Sequence, residues 1–453
     1  VLVLGRPVAS SLSVAYRIHL LPHLLRSAGS GLTVELLNLQ GTRLAWVKQR
    51  KGLEVDMALN EQSSAAVQIS LEDVEALQVA PLSRLLRIRL DDEPLFTGYV
   101  VTTGYSSETN SVALRAFDPF WRLKERAAIG MRGDNTPLVG AGQPGYVRGR
   151  PYRVAGIDQS EIMWLLVSHA EITNGERAAG VPSLGVKKGI FYRDAVKLRD
   201  REYEWGKTIG EAILDMTTVR RGPDFAFRPL LNSELGYWGY QHWAFDTFKP
   251  GRGTDRTSNV IFEHNTGRNN APSFHYEPDG LPVANRSMWQ GQAIEGLGPP
   301  QVTRNQPESQ LAYGIYGDVH ASTEIIYTET LREHADEFVA AHAWPPNFFD
   351  MTIAQADGSG WRRDPQTGEL VRAGRDFGQP FIFGPDPGGK HDFGLGDTIR
   401  GIARFGKLPD GTFALYEDLA GRVTDAKITE VENMNAHVVE IKAAPTIDYS
   451  GVV

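Results

Sequence analysis

From Leu85 to Leu123 the chain alternates apolar and polar residues with a period of two. Leu86, Ile88 and Leu90 alternate with Arg87 and Arg89, and Val112, Leu114 and Ala116 alternate with Ala113, Arg115 and Phe117. Successive side chains of a strand point to opposite faces, so this pattern predicts strands with one buried face. Between them runs Leu95-Phe96-Thr97-Gly98-Tyr99-Val100-Val101, bounded by an acidic turn at Asp91-Asp92-Glu93-Pro94 and a polar turn at Asn110. The spacing predicts a three-stranded meander. Asp118-Pro119 stops it, and Phe120, Trp121 and Leu123 predict a short apolar cap.

The same period recurs upstream. Val34 to Gln40 is apolar-rich, Gly41 turns the chain and Leu44 to Val47 returns. Leu53, Val55, Met57 and Leu59 alternate with Glu54, Asp56, Ala58 and Asn60, and Val67, Ile69 and Leu71 follow suit. About seven short strands at hairpin spacing predict an antiparallel barrel or sandwich over residues 1–125.

Beyond it the period changes. Ala127 to Pro151 is glycine-rich and predicts a long loop. Asp158-Gln159-Ser160-Glu161 reads as a capping box, with Ile162, Leu165, Leu166 and His169 on one helical face. Thr208-Ile209-Gly210-Glu211 is a second box, opening a helix that carries Ile209, Ala212, Ile213 and Met216 at i, i+3, i+4 and i+7 and ends at Gly222-Pro223. Phe225-Ala226-Phe227 predicts a strand. Gly267 to Pro307 reads as exposed loop, Glu324 to His342 as a third helix, and Gly358 to Gly378 as an inserted hairpin. Strand periodicity returns from Gly394, through an Asp410-Gly411 turn, to Gly421–Val431 and Val438–Ile441. The predicted class is mainly β with α+β insertions. Two antiparallel β-barrel domains, 1–125 and 323–453 (the second opening on a helix), flank a mixed middle region at 126–322.

Composition narrows the function. A chain of 453 residues buries sizeable cores without staples, and it has no cysteine, which excludes disulfides, thiolate metal sites and a Cys nucleophile. Its formal charge of −8 argues against a nucleic-acid binder, and no apolar run is long enough to span a bilayer. His19 and His23 are separated by Pro22, which breaks the helical register a metal pair needs. Arg132-Gly133-Asp134 is read as a chance tripeptide. No HExxH, GxSxG, Walker, Rossmann or EF-hand pattern is present, so no catalytic, cofactor or metal residue is assigned. The candidate contact residues are the aromatics Tyr237, Trp238, Tyr240 and Trp243, which suit either a sugar-stacking platform or ordinary β-core packing; burial is the preferred reading.

The meander with its Leu-Phe-Thr-Gly-Tyr-Val and Val-Ala-Leu-Arg-Ala-Phe-Asp-Pro-Phe segments, the helix before Arg220-Arg221-Gly222-Pro223, and the closing Leu395-Gly396-Asp397-Thr398-Ile399 and Gly421–Thr429 stretches together resemble the hub (minor tail) proteins of tailed phages. The resemblance covers 33–125, 205–230 and 323–445. It implies a structural virion protein at the tail tip, assembled in the host cytoplasm. Three copies, each with two barrels, would place six units in a ring that closes the tail tube. Implied partners are further copies of the chain, as a homotrimer, together with the distal tail or tube protein, the tape measure and tip or fibre proteins. DNA only passes through the lumen, which the net acidity suits. Alternatives are a tail-associated cell-wall glycan hydrolase and a carbohydrate- or receptor-binding tail module.

Overall fold

In the computed structural model the chain is mainly β, with five helices among the described residues. These are residues 32–445 apart from 48–49, 71–80, 91–92, 109, 126–151, 171–183, 192–197, 204–206, 220–221, 232–233, 235–240, 249–251, 267–270, 272, 279, 294–297, 323–324, 326, 357–360, 364–369, 373–380, 386–390 and 431–435. His19, His23 and the Arg132-Gly133-Asp134 tripeptide lie outside the described residues, as does the whole loop expected at 127–151.

The N-terminal strands are β1 (Leu32–Asn38), β2 (Arg43–Val47), β3 (Arg50–Ala58) and β4 (Ser64–Ser70). The expected meander follows as β5 (Arg84–Leu90), β6 (Glu93–Ser106) and β7 (Ser111–Phe117), capped by helix α1 (Pro119–Glu125). Its polar turn places Asn110 at φ 47°, a conformation asparagine tolerates better than most residues. The middle of the chain supplies β8 (Tyr152–Asp158), α2 (Gln159–His169), β9 (Val186–Phe191), β10 (Leu198–Tyr203), α3 (Ile209–Thr217), β11 (Asp224–Pro229) and β12 (Trp243–Phe248). Next come β13 (Ile261–His264), β14 (Ser273–Pro278), β15 (Arg286–Gln290), β16 (Gln301–Asn305), α4 (Pro307–Tyr313), β17 (Gly317–Ala321) and α5 (Thr328–His342). The chain closes with β18 (Asn347–Ala356), the small ladder β19 (Trp361–Arg363) and β20 (Leu370–Arg372), then β21 (Thr398–Lys407), β22 (Phe413–Glu430) and β23 (Ala436–Ala444).

The two ends of the chain share one 13-stranded sheet, ordered β14-β18-β23-β22-β3-β4-β7-β6-β5-β1-β2, with β13 and β21 attached to β22 through the β21 ladder. The expected closure into two barrels does not occur among the described strands. Instead β22, 18 residues long, reaches across and pairs Ile428 with Val55 of β3, so both halves belong to one open sheet. One core runs beneath it, with Leu36, Val55, Leu86 and Leu114 from one half and Phe349, Ile399, Ile428 and Ile441 from the other. At about 1.5–3 kcal/mol for each large apolar side chain fully buried, this shared core is the main reason the halves stay joined. Gly401 and Gly421, on neighbouring strands, leave room for the stacked rings of Phe274 and Phe349, whose centroids lie 5.3 Å apart.

The meander is covered on both faces. Leu86 and Ile88 enter the shared core, while Leu37, Leu85 and Tyr99 point the other way into a second core built from α1, α2, α3, β11 and β12. The second capping box forms as expected, with Thr208 accepting from the Glu211 amide at 3.1 Å and Glu211 accepting from the Thr208 amide at 3.0 Å. The first does not: Asp158 accepts from the Ser160 amide, and Glu161 turns away to pair with Lys188 at 2.7 Å. The charged Lys188 of β9 makes a stronger hydrogen bond to Glu161 on α2 than a neutral amide would.

Two further expectations are corrected. The stretch Gly267–Pro307 is not simply loop, since it holds β14, β15 and β16, whose ladder partners β18 and β17 lie far along the chain or beyond its own limits. The third helix begins at Thr328 rather than Glu324, its cap being Tyr327 with no side-chain bond, while Ile325 stays outside it and packs into a small third core with Val302, Leu331 and Ala335.

Candidate functional site

Polar joints fix the three cores against one another. Asp224, at the start of β11, accepts from Asn60 Nδ2 at 2.6 Å and from the Arg252 amide at 2.8 Å, and forms an ion pair with Arg422 of β22. Asp397 is buried and accepts from the Thr254 amide at 2.7 Å, the Gly394 amide at 3.1 Å and Arg256 Nε at 2.7 Å. Beneath the meander the buried Glu35 faces Arg89 at 3.1 Å, Arg43 at 3.5 Å and Arg87 at 4.0 Å; burial, then the neighbouring Arg89, holds the Arg87 guanidinium down to about 10. The second and third cores meet where Arg199 pairs with Glu333 and Arg201 approaches His334 at 3.5 Å. Burial, and then Arg201, pushes His334 down to about 3, so the ring is neutral there.

That neutral ring starts an aromatic column. His334 lies over Trp289 at 5.1 Å, Trp289 over His320 at 4.5 Å, and Phe338 contacts both His320 and His342 at 4.3 Å. The column pins β17 to α5 from one side, and the other side of β17 has no strand partner among the described residues. Every residue from Leu311 to Val319 is exposed, including Leu311 at 88% and Val319 at 65%. Isolated exposed apolar residues are ordinary, but a run of large ones beside an open edge marks a contact surface.

A second open element lies at the tip of β21 and β22. Phe413 to Gly421 of β22 pairs with β21 alone, since β23 begins its pairing at Arg422 and β3 at Asp425. β13 covers β21 only as far as Ala403. Leu408, Leu415 and Tyr416 are exposed on this ribbon, and Arg404 lies over the rings of Phe413 at 5.8 Å and Tyr416 at 5.7 Å. A third is the terminal strand β2, where Leu44 and Trp46 are exposed and Arg43 covers the Trp46 ring at 4.5 Å. Edges of this kind are what a monomeric protein has to blunt and an assembling one uses.

No protein-family model matches the chain, and no curated protein matches it by sequence. Solved structures do match in shape. A tail protein from Neisseria meningitidis MC58 aligns over 91% of this chain and 96% of its own, with a TM-score of 0.50 and 11% identity. The chain shares the fold of that protein. Two further tail-protein structures align less closely: the 43 kDa tail protein of prophage MuSo2 from Shewanella oneidensis (TM-score 0.49, 10% identity, 92% and 98% of the two chains) and a prophage tail protein from Listeria monocytogenes EGD-e (TM-score 0.47, 10% identity, 92% and 95%).

On this fold the aromatic candidates separate. Tyr237, Trp238 and Tyr240 lie outside the described residues. Trp243 is 0% exposed in the second core, its Nε1 donating to the Thr97 carbonyl at 2.8 Å and its ring 5.2 Å from Tyr99, so it offers no face to a ligand. Nearby, Met57, Asp118 and Arg228 line a cavity of about 60 Å³, with room for a few waters and far below the several hundred Å³ of a sugar pocket. Burial holds Asp118 up at about 7, against hydrogen bonds from the Ser63 and Phe120 amides. Among the described residues no cluster of three or more His, Asp or Glu side chains is placed to hold a metal. The open edges therefore form the candidate site. Sequence reasoning missed β17, whose short Gly-Asp-Val-His-Ala run carries no clear alternation; the signal within reach was the density of apolar residues from Leu311 to Val319.

Proposed function

We infer that the chain is a structural tail component that works as the tail-tip hub, a ring of three copies closing the tail tube and joining it to the tip or fibre proteins. The observation that carries this reading is the single sheet shared by the two ends of the chain, which holds its halves rigidly side by side while leaving strand edges open for neighbours. In this reading 1–125 and 323–453 supply the ring, with β13 and β14 of the 126–322 insertion completing the second half, so that three chains present six sheet segments to a six-fold tube. Contacts between copies are head-to-tail, because an open edge on one element meets a different element of the next copy. DNA passes through a lumen that the chain's charge of −8 keeps from binding it.

Sedimentation of the full chain tests the ring directly. A discrete trimer at micromolar concentration is expected, and a monodisperse monomer throughout the range would overturn the reading. Clearing of a cell-wall suspension, abolished by one carboxylate substitution, would replace the hub with a tail-associated hydrolase. Glycan binding without turnover would replace it with a receptor-binding module.

A further inference from the structure

We propose that the β21–β22 ribbon of one copy adds, strand to strand, onto the open edge of β17 in the next copy. The proposal rests on the ring reading and names the surfaces that would close it.

The receiving edge is defined by its backbone. Arg286 donates to the Tyr316 carbonyl at 3.0 Å and Ser322 to the Gln290 carbonyl at 2.9 Å, in a parallel register that runs from Arg286 opposite Gly317 to Gln290 opposite Ala321. Alternation along a strand then turns the amides and carbonyls of Gly317, Val319 and Ala321 away from β15, where the Val319 amide donates to Asp318 Oδ1 at 2.8 Å, a local bond that an incoming strand would replace. Beside that edge stand Leu311 (88% exposed), Tyr313 (46%), Ile315 (65%), Tyr316 (52%) and Val319 (65%), with Trp344 (41%) in edge contact with Tyr313. At roughly 200 Å² for a large side chain, they expose on the order of 700 Å². That exceeds the largest patch of a typical monomer and approaches the ~800 Å² each partner contributes to a stable interface.

The ribbon is the complement. Two strands without a third are marginal in water, yet here they run on past every other partner in the sheet, with Gly406 to Thr412 and Ala414 to Tyr416 exposed. Phe405 to Lys407 and Phe413 to Gly421 have outer edges without a strand partner among the described residues, and Leu408, Leu415 and Tyr416 are exposed alongside. Charge agrees as well. The receiving stretch from Asn305 to Ser322 carries Glu308 and Asp318 and no lysine or arginine, whereas the ribbon's tip from Arg404 to Tyr416 carries Arg404 and Lys407 against Asp410; of Glu417 and Asp418 nearer its root, Asp418 is already paired with Arg400. A third strand would complete the ribbon, bury both apolar sets and bring Lys407 towards Asp318.

The chain has no cysteine, so single cysteines report the contact cleanly. Val319→Cys and Leu415→Cys variants of the full chain, mixed and treated with a short bis-maleimide, are expected to give a heterologous cross-link that neither variant gives alone. In sedimentation, Asp318→Lys and Lys407→Glu are each expected to weaken self-association several-fold, and the two together to restore it. A wild-type trimer with no cross-link, and with both charge variants unchanged, overturns this contact and leaves the ring standing. A wild-type monomer overturns both.

Discussion

Replacing Trp243 with alanine separates a core tryptophan from a stacking platform. The side chain is wholly enclosed, and truncating a buried tryptophan costs about 3–5 kcal/mol through lost transfer energy and the cavity left behind. The substitution also strips the Thr97 carbonyl of its 2.8 Å partner, and an orphaned buried acceptor costs about 1–3 kcal/mol more. The ring borders Tyr99, whose hydroxyl donates to the Leu184 carbonyl at 2.7 Å, so the second core loosens where it meets the meander. The sum is about 4–8 kcal/mol, or roughly 8–20 °C in melting temperature for a cooperative unit of some 200 residues. Trp243→Phe keeps most of the volume and loses mainly the hydrogen bond, and is expected to cost about 1–3 kcal/mol. Thermal and urea melts of the full chain check both. If Trp243→Ala melts within about 2 °C of the wild type while glycan binding disappears, the burial argument is wrong and the residue is a platform.

Glu35→Gln leaves Arg43, Arg87 and Arg89 facing a neutral amide in a site where the side chain is 1% exposed, and is expected to cost about 3–5 kcal/mol in urea unfolding. Gly421→Ala drives a Cβ towards the Phe349 ring and the Ala443 side chain, and overpacking of that kind is expected to cost about 1–3 kcal/mol, read as a lower melting temperature. Asp118 supplies a pH dependence. Its carboxyl is raised from 3.8 to about 7 in the fold, so the native state holds a proton that the unfolded chain has released. The stabilisation is therefore complete below pH 3.8 and is lost as pH rises through about 7, amounting to about 4 kcal/mol across that window. Asp118→Asn is expected to flatten this slope in melts taken from pH 4 to 8; parallel slopes for the two proteins would contradict it.

The meander, the second capping box and the Asp410-Gly411 turn are legible in the sequence because each is decided locally, by alternation, by a cap or by a turn residue. Gly411 indeed sits at φ 85°, with Asp410 accepting from the Thr412 amide at 2.9 Å. What the sequence conceals is decided at a distance. β12 shows little alternation because β11 and β9 flank it and both its faces are covered, so every position from Trp243 to Thr247 is buried. β14 and β15 read as loop because Ser273–Pro278 and Arg286–Gln290 gain their order from β18, β16 and β17 rather than from their own pattern. The unity of the large sheet is concealed for the same reason. Nothing in Asp425–Thr429 announces that its partner is Glu54–Ala58. Of the aromatic candidates, only Trp243 can be placed, and its neighbour Pro229 across the β11–β12 ladder gives no hint of burial in the sequence.

The pairing of Val55 with Ile428 has a consequence during translation. At roughly 5–20 residues per second, β3 leaves the ribosome well before its partner exists, and some tens of seconds pass with one edge of the first half uncovered. Contacts this remote in sequence also slow the final step of folding. Cells making the chain should therefore show it bound to holding chaperones while nascent, and a ribosome stalled before Phe413 should carry an aggregation-prone half-sheet.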